Sequence, residues 1–178
     1  MRSLFGVSAQ LRARVEVQRE PLYRLAYSWC HDAALADDLV QETMLRALGR
    51  AGQLRDQSRL KAWLCAILAN CLKDHYRGAQ PLDALNDSIP SHADSPEAAS
   101  ASRQLAARVR AEIGRLPLGQ RQVVTLVDLE GFSYAEVSEV LEVPIGTVMS
   151  RLCRAREALR PRLMDFAAAQ NNKIRSIR

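Results

Sequence analysis

Aromatic residues are scarce in this chain, with three Phe, four Tyr and two Trp among 178 residues, and only eight are Gly. A β-sandwich or barrel relies on aromatic cross-strand pairs and frequent tight turns, so this composition speaks against an all-β fold. No apolar run approaches the ~18 residues that a membrane span requires, and no membrane insertion is expected. The opening stretch MRSLFGVSAQLRARVEVQRE has arginines on both sides of a very short apolar segment and lacks the apolar core of a secretory signal. A cytoplasmic location is therefore expected. Cysteine is also sparse: Cys30, Cys65, Cys71 and Cys153 form no CxxC pair and no close finger spacing. They read as reduced, mostly buried thiols, with no metal and no cofactor implied. Neither a phosphate-binding loop nor a nucleophile constellation is present, which leaves an enzyme reading without residues to carry it.

What the chain has in quantity is Ala, Leu, Arg and Glu, residues that lose little entropy in a helix. The formal charge is +5 and the pI about 9.3, which favours a polyanionic partner. That charge is unevenly placed. Residues 1–80 carry a net +4, residues 81–102 a net −4 with no Lys or Arg, and residues 103–178 a net +5. The middle stretch, PLDALNDSIPSHADSPEAASAS, holds three prolines and five serines and reads as an acidic linker. Fully extended it would reach about 70 Å at ~3.3 Å per residue. It is either a solvated spacer or an acidic strand that lies in a basic channel of a partner, and composition favours the spacer.

The flanking halves read as helical, and no strand alternation or internal repeat is evident. Periodicity predicts a first helix near 10–30, divided at Pro21. A second follows near 33–50 with Asp32 as its N-cap, and a third near 59–77 after the polar loop QLRDQS. Beyond the linker, helices are predicted near 98–115, 118–130, 134–142 and 145–163. The expected fold class is all-α: two small helical domains joined by a flexible acidic linker, the second containing a helix-turn-helix.

The stretch FSYAEVSEVLEVPIGTVMSRLCRAREAL carries the strongest local signal. Ser133 and Glu136 are spaced as a capping box, and Val137, Val140 and Leu141 give a short helix an apolar face. Glu142-Val143-Pro144 breaks that helix, and Thr147 lies in the first turn of a longer one. At about 100° per residue Val148, Leu152, Ala155 and Leu159 share a narrow stripe that must face the core. Met149, Ser150, Cys153, Arg154, Glu157 and Arg160 lie opposite, with Arg151 and Arg156 at the border within reach of phosphates. Five arginines at 151, 154, 156, 160 and 162 against the single acid Glu157 favour DNA over an ordinary solvated face.

In the first half, helix 33–50 buries Ala36, Leu39, Val40, Thr43, Met44 and Ala47, and presents Asp38, Gln41, Glu42 and Leu45 on the other side. An exposed leucine framed by acids suits docking to a basic protein surface. Helix 59–77 places Leu60, Trp63, Leu64, Ile67, Leu68, Cys71 and His75 inward. Its far side offers Ala62, Ala66, Ala69, Lys73 and Arg77, with Asn70 at the edge, which suits a nucleic-acid backbone or unpaired bases. Tyr76 could offer a stacking ring nearby.

The segments DDLVQETMLRAL, AWLCAILANCLKDHYR and GFSYAEVSEVLEVPIGTVMSRLCRAREAL, in this order, resemble an extracytoplasmic-function sigma factor of the bacterial sigma-70 family over roughly residues 10–165. The resemblance implies that 1–80 is region two, 81–102 the linker and 103–170 region four, followed by a basic tail at 171–178. It implies that Asp38, Gln41, Glu42 and Leu45 dock on core RNA polymerase. Arg55, Gln57, Ser58, Asn70, Lys73 and Arg77 would capture and open the minus-ten element of promoter DNA. Thr147, Met149, Ser150, Arg151, Cys153 and Arg154 would read the minus-thirty-five element. The linker would thread toward the polymerase active-site cleft, and a dedicated anti-sigma factor would hold the chain inactive until a stress signal. Two features depart from the pattern. Relatives often carry a basic and an aromatic residue where Met149 and Cys153 stand, and the pattern does not account for the tail NNKIRSIR.

Two rivals remain from the residues alone. One is a conventional helix-turn-helix regulator without a sigma role. The other is a metal or thiol sensor built on Cys30, His31, Cys71 and His75.

Overall fold

A computed structural model of the chain describes residues 8–79 and 101–175, and side chains within 8–78 and 106–164. Nearly all of the expected acidic linker lies outside the described residues. Those described are helical, with no strand among them.

Helix α1 spans Ala9–Val17 and starts at Ser8, whose hydroxyl accepts the Leu11 amide at 3.1 Å. Helix α2 spans Arg19–Cys30, so the expected break at Pro21 falls instead at Gln18. Pro21 then sits in the first turn of α2, where backbone N–H groups have no intrahelical partner and its missing donor costs nothing. At the far end His31 adopts a left-handed conformation, φ 54°, and closes the helix. Asp32 caps α3, Ala33–Gly49, by accepting the Leu35 amide at 3.0 Å, as its position predicts. Two single 3₁₀ turns, Ala51–Gln53 and Gln57–Arg59, lead into α4, Leu60–Ala79.

In the second half α5 spans Ala101–Gly114 and α6 spans Leu118–Val124 after Pro117. The helix predicted over 118–130 does not run through. Thr125–Leu129 forms a π turn, with the Thr125 hydroxyl bonded back to the carbonyls of Arg121 at 2.8 Å and Gln122 at 3.0 Å. Such back-bonding competes with the regular ladder and loosens it. Helix α7, Tyr134–Leu141, has the full capping box of Ser133 and Glu136. It stops at Glu142, φ 55°. Helix α8 spans Ile145–Arg175, continuing through Pro161 and past the expected end near 163 to take in much of the segment expected as a separate tail.

Packing follows most of the predicted stripe positions. Leu22, Leu25, Ala26 and Trp29 of α2, Ala36, Leu39, Val40 and Ala47 of α3, and Leu60, Leu64, Leu68 and Cys71 of α4 are buried together. Val148, Leu152, Ala155 and Leu159 of α8 are buried as the stripe requires. His75, expected in the core, is exposed with its ring edge-on to Tyr76, and Trp63 is only half-buried. Of the thiols, expected to be mostly buried, Cys65 and Cys71 are buried, Cys30 is half-buried and Cys153 is exposed. Burial pushes the Cys65 thiol up to about 12, with Glu130 adding to the effect and Lys61 opposing it. The two halves are also in contact: α7 lies on α4, and α5 and α6 lie on α2.

Candidate functional site

Three surfaces carry the predicted functional residues. The first is the outward face of α3. Asp38, Gln41 and Glu42 are exposed, and Leu45 is 63% exposed on the same face. Arg46 at the edge of this face bridges Asp74 at 2.8 Å and Glu42 at 2.7 Å. Those two hydrogen bonds hold the guanidinium more firmly protonated than usual. Gln41 donates to Asp37 at 3.2 Å. The face is thus apolar at its centre and acidic at its rim, the pattern of a docking patch.

The second surface is the loop before α4 and α4 itself. Arg55 is exposed. Gln57 is pinned through its carbonyl by Arg14 at 2.9 Å, and the two side chains also meet. The amide and hydroxyl of Ser58 both donate to Asp56, at 2.8 and 2.7 Å, and lower the Asp56 pKa from its ordinary value. The loop is therefore held in one shape by its own side chains. Along α4 Asn70 and Lys73 are half-buried and Arg77 is exposed.

The far side of α4, expected to stand open, is covered. Helix α7 packs over it and leaves Ala69 only 7% exposed. Arg59 pairs with Glu139, Lys61 with Glu130 at 2.9 Å, and Lys73 approaches Glu142 at 3.9 Å. Lys61 also donates to the Glu130 carbonyl at 3.0 Å and stands over the Phe132 ring at 5.1 Å. Between loop and α7 remains a cleft of about 400 Å³, lined by Arg55, Arg59, Trp63, Glu139 and Val140 among others. Sequence reasoning missed Arg59 and Lys61 as members of this basic face. Their place where the polar loop runs into α4, Arg59 ending the 3₁₀ turn and Lys61 in the first turn of the helix, was the available signal. Nothing local to the sequence points to their glutamate partners.

The third surface is the start of α8. Met149, Ser150, Cys153 and Arg154 are exposed, Met149 by 54%, while Thr147 and Arg151 are half-buried. The Ser150 hydroxyl donates to the Thr147 carbonyl at 3.1 Å, and Cys153 approaches Glu157 at 3.5 Å. Arg151 lies across α6 so closely that a Cβ on Gly119 would stand 2.8 Å from its guanidinium carbon. Arg156, expected to reach phosphates, is instead held by both oxygens of Asp128, at 2.6 and 3.1 Å. Arg154 is thus the exposed arginine at the centre of this surface.

Among the described residues no group of three or more His, Cys, Asp or Glu is arranged to hold a metal ion. Cys71 instead takes the Thr43 hydroxyl at 3.8 Å. No described helix is long and apolar enough to cross a membrane. The arrangement is one of binding surfaces: an acidic, apolar-centred patch and two basic faces on separate helical units.

Comparison with known proteins matches this layout. The family model for Sigma-70 region 2 matches residues 15–81, and that for Sigma-70, region 4 matches residues 106–159. RNA polymerase sigma-H factor of Pseudomonas aeruginosa is 35% identical over 147 residues, covering 76% of each chain. The ECF RNA polymerase sigma factor SigW of Bacillus subtilis is 30% identical over 164 residues, covering 85% of this chain and 88% of that one. Among solved structures, the sigma factor RpoE of Bartonella quintana, in complex with the anti-sigma factor NepR, matches with a TM-score of 0.70 at 27% identity. That match covers 88% of this chain and 98% of the other. CnrH, in complex with the cytosolic domain of CnrY, matches with a TM-score of 0.60 at 26% identity over 93% and 92% of the two chains. With both sigma regions present in order on two helical units, the chain belongs to the extracytoplasmic-function sigma factors of the sigma-70 family.

Proposed function

We propose that this chain is an alternative initiation factor that binds core RNA polymerase, directs it to particular promoters and helps to open the DNA. The observation that carries the reading is the coexistence of an acidic, leucine-centred patch on α3 with an open basic recognition helix at α8, on the units matched by regions 2 and 4. Residues 1–80 supply polymerase docking through Asp38, Gln41, Glu42 and Leu45, and minus-ten capture through Arg55, Gln57, Ser58, Asn70, Lys73 and Arg77. Residues 81–102 are the acidic linker. Residues 103–170 read the minus-thirty-five element with the exposed face of α8, and 171–178 are a basic tail.

The work is non-enzymatic and takes place where the polymerase is, in the cytoplasm. Trapping unpaired bases offsets the unstacking of the duplex, a few kcal/mol per base in related flipping reactions. Exposed Met149 and Cys153 offer little hydrogen bonding to base edges, so base discrimination rests on Ser150, Arg154 and apolar contact. The RpoE structure holds the anti-sigma factor NepR, and the CnrH structure holds the cytosolic domain of CnrY. An anti-sigma factor is the corresponding partner proposed for this chain.

Run-off transcription with purified core polymerase on pooled genomic templates tests the reading. Discrete new transcripts that depend on the protein are expected, and their start sites will align two promoter elements. Tight binding of duplex DNA without polymerase, together with no new transcripts, would instead favour a plain helix-turn-helix regulator.

A further inference from the structure

We infer that Asp74 of α4 and Arg46 of α3 are positioning residues for polymerase docking. Together they hold the carboxylate of Glu42 in the pose that core polymerase takes, and they keep the charge around it negative. The inference rests on the proposed docking role of Glu42. The Nε of Arg46 donates to Glu42 at 2.7 Å and its Nη1 donates to Asp74 at 2.8 Å. One guanidinium thus spans two carboxylates carried by two different helices.

Glu42 stands one turn before Arg46, the order of acid and base that suits an i,i+4 pair. Alone, such a pair does little on an exposed face, because both long side chains give up rotamer freedom to meet. Asp74 changes that balance. It takes a second edge of the guanidinium, whose donors form a rigid planar fork, and so fixes the plane on which Glu42 sits. A glutamate already held in place loses less side-chain freedom when a partner docks.

The core beneath sets this geometry. Three residues earlier on each helix, Thr43 and Cys71 are buried and in contact at 3.8 Å. Ala47, the neighbour of Arg46, is likewise buried. The backbones that carry Arg46 and Asp74 are therefore placed by packing, and the bridge closes at the rim.

Charge gives the second role. Glu42 and Arg46 alone form a self-neutralised pair, which offers a basic surface little. With Asp74 the trio carries a net charge of −1. Glu42 and Asp74 stay 48% and 53% exposed while Arg46 is 29% exposed, so an incoming cation meets the carboxylates first. The bond to Asp74, ahead of that to Glu42, also keeps Arg46 firmly protonated.

The test measures the affinity of core polymerase for the labelled full chain by anisotropy, with thermal melting to report the fold. Asp74→Asn should weaken binding roughly fivefold and leave the melting point nearly unchanged, as loss of an exposed ion pair does. Asp74→Glu keeps the charge and the bridge and should restore most of the affinity. Arg46→Lys keeps the charge without the planar fork and should lose affinity as Asp74→Asn does. Glu42→Gln should weaken binding by itself. Adding Asp74→Asn to it should cost no more than about twofold further, because Asp74 acts through Glu42. Wild-type affinity for Asp74→Asn beside a weak Glu42→Gln, or an undiminished loss from Asp74→Asn in both backgrounds, overturns the positioning and leaves the docking role of Glu42 intact. Wild-type affinity for Glu42→Gln overturns that docking role and the positioning with it.

Discussion

The indole N–H of Trp29 and the hydroxyl of Thr125, 96 residues apart in sequence, meet at 2.8 Å between the two helical domains, and both residues are fully buried. The Thr125 hydroxyl spends its own proton on a carbonyl of α6 and uses a lone pair for the indole. Trp29 is held twice, since its carbonyl accepts Arg121.

Thr125→Val keeps the shape of the side chain and removes the acceptor, leaving a buried indole N–H without a partner. A cost of about 1–3 kcal/mol is expected. It should surface as domain opening, because opening rehydrates the indole. Tryptophan emission should shift to the red and the denaturation midpoint should fall. An unchanged midpoint and spectrum would show that this bond does not hold the domains.

Leu45→Asp removes the apolar centre of the α3 patch without touching the core. Stability should change by no more than about 0.5 kcal/mol, as for other surface changes. Affinity for core polymerase should drop at least about tenfold, as loss of a central interface residue does. Glu42→Lys should lose polymerase in the same way, with a small added instability because it sets a cation beside Arg46. Wild-type affinity in a pull-down with core enzyme would refute the docking assignment.

Arg154 and Arg151 should separate by the kind of loss they cause. Arg154 is exposed at the centre of the recognition face, and Arg154→Ala should cost about 1–3 kcal/mol unevenly across promoter variants. Arg151 lies against Gly119 at the border, and Arg151→Ala should weaken all sequences alike and flatten the salt dependence. Affinity measured across a panel of single-base promoter changes distinguishes the two patterns.

Glu112 is a fully buried carboxylate with Arg115 at 2.9 Å, Arg108 at 2.8 Å and Arg162 at 3.5 Å. It ties α5 to α8. Breaking a buried pair usually costs 3–5 kcal/mol, but these arginines are half-exposed and rehydrate, so Glu112→Ala should cost about 2–3 kcal/mol. Thermal melting of the full chain reads the loss, and a melting point equal to wild type would contradict it.

His31 gives the domain contact a pH dependence. Burial, and then the charge of Arg121, push its imidazole pKa below the ordinary 6.5. Its Nε2 is buried without a hydrogen-bond partner. The opened or unfolded chain takes up the proton more readily than the closed one. Closed-state stability should therefore be complete above pH 6.5 and decline as pH falls below that value. Asn accepts the left-handed backbone at this position, so His31→Asn should remove much of that decline between pH 6.5 and the carboxylate range. The same acid slope in both proteins would exclude His31 as its source.

Much of the fold was legible because it depends on local chemistry. Asp32 and the Ser133–Glu136 box cap their helices through groups within three residues, and such signals survive any tertiary context. The stripe of Val148, Leu152, Ala155 and Leu159 likewise follows from helical pitch alone. The break at Gln18 and the π turn at Thr125 were not legible. Both are choices among nearly equal backbone arrangements, and Thr125 also serves a distant tryptophan.

The sequence by itself determined the helical class, the caps, the acidic face of α3 and the exposed side of the recognition helix. Each follows from the spacing of apolar and charged residues along one segment. Only the tertiary structure decided that α7 lies on α4, that Ala69 is covered, and that Glu130, Glu139 and Glu142 meet Lys61, Arg59 and Lys73. Those contacts join residues brought together by packing between two domains, and no period or composition along the chain encodes which charged face will meet which.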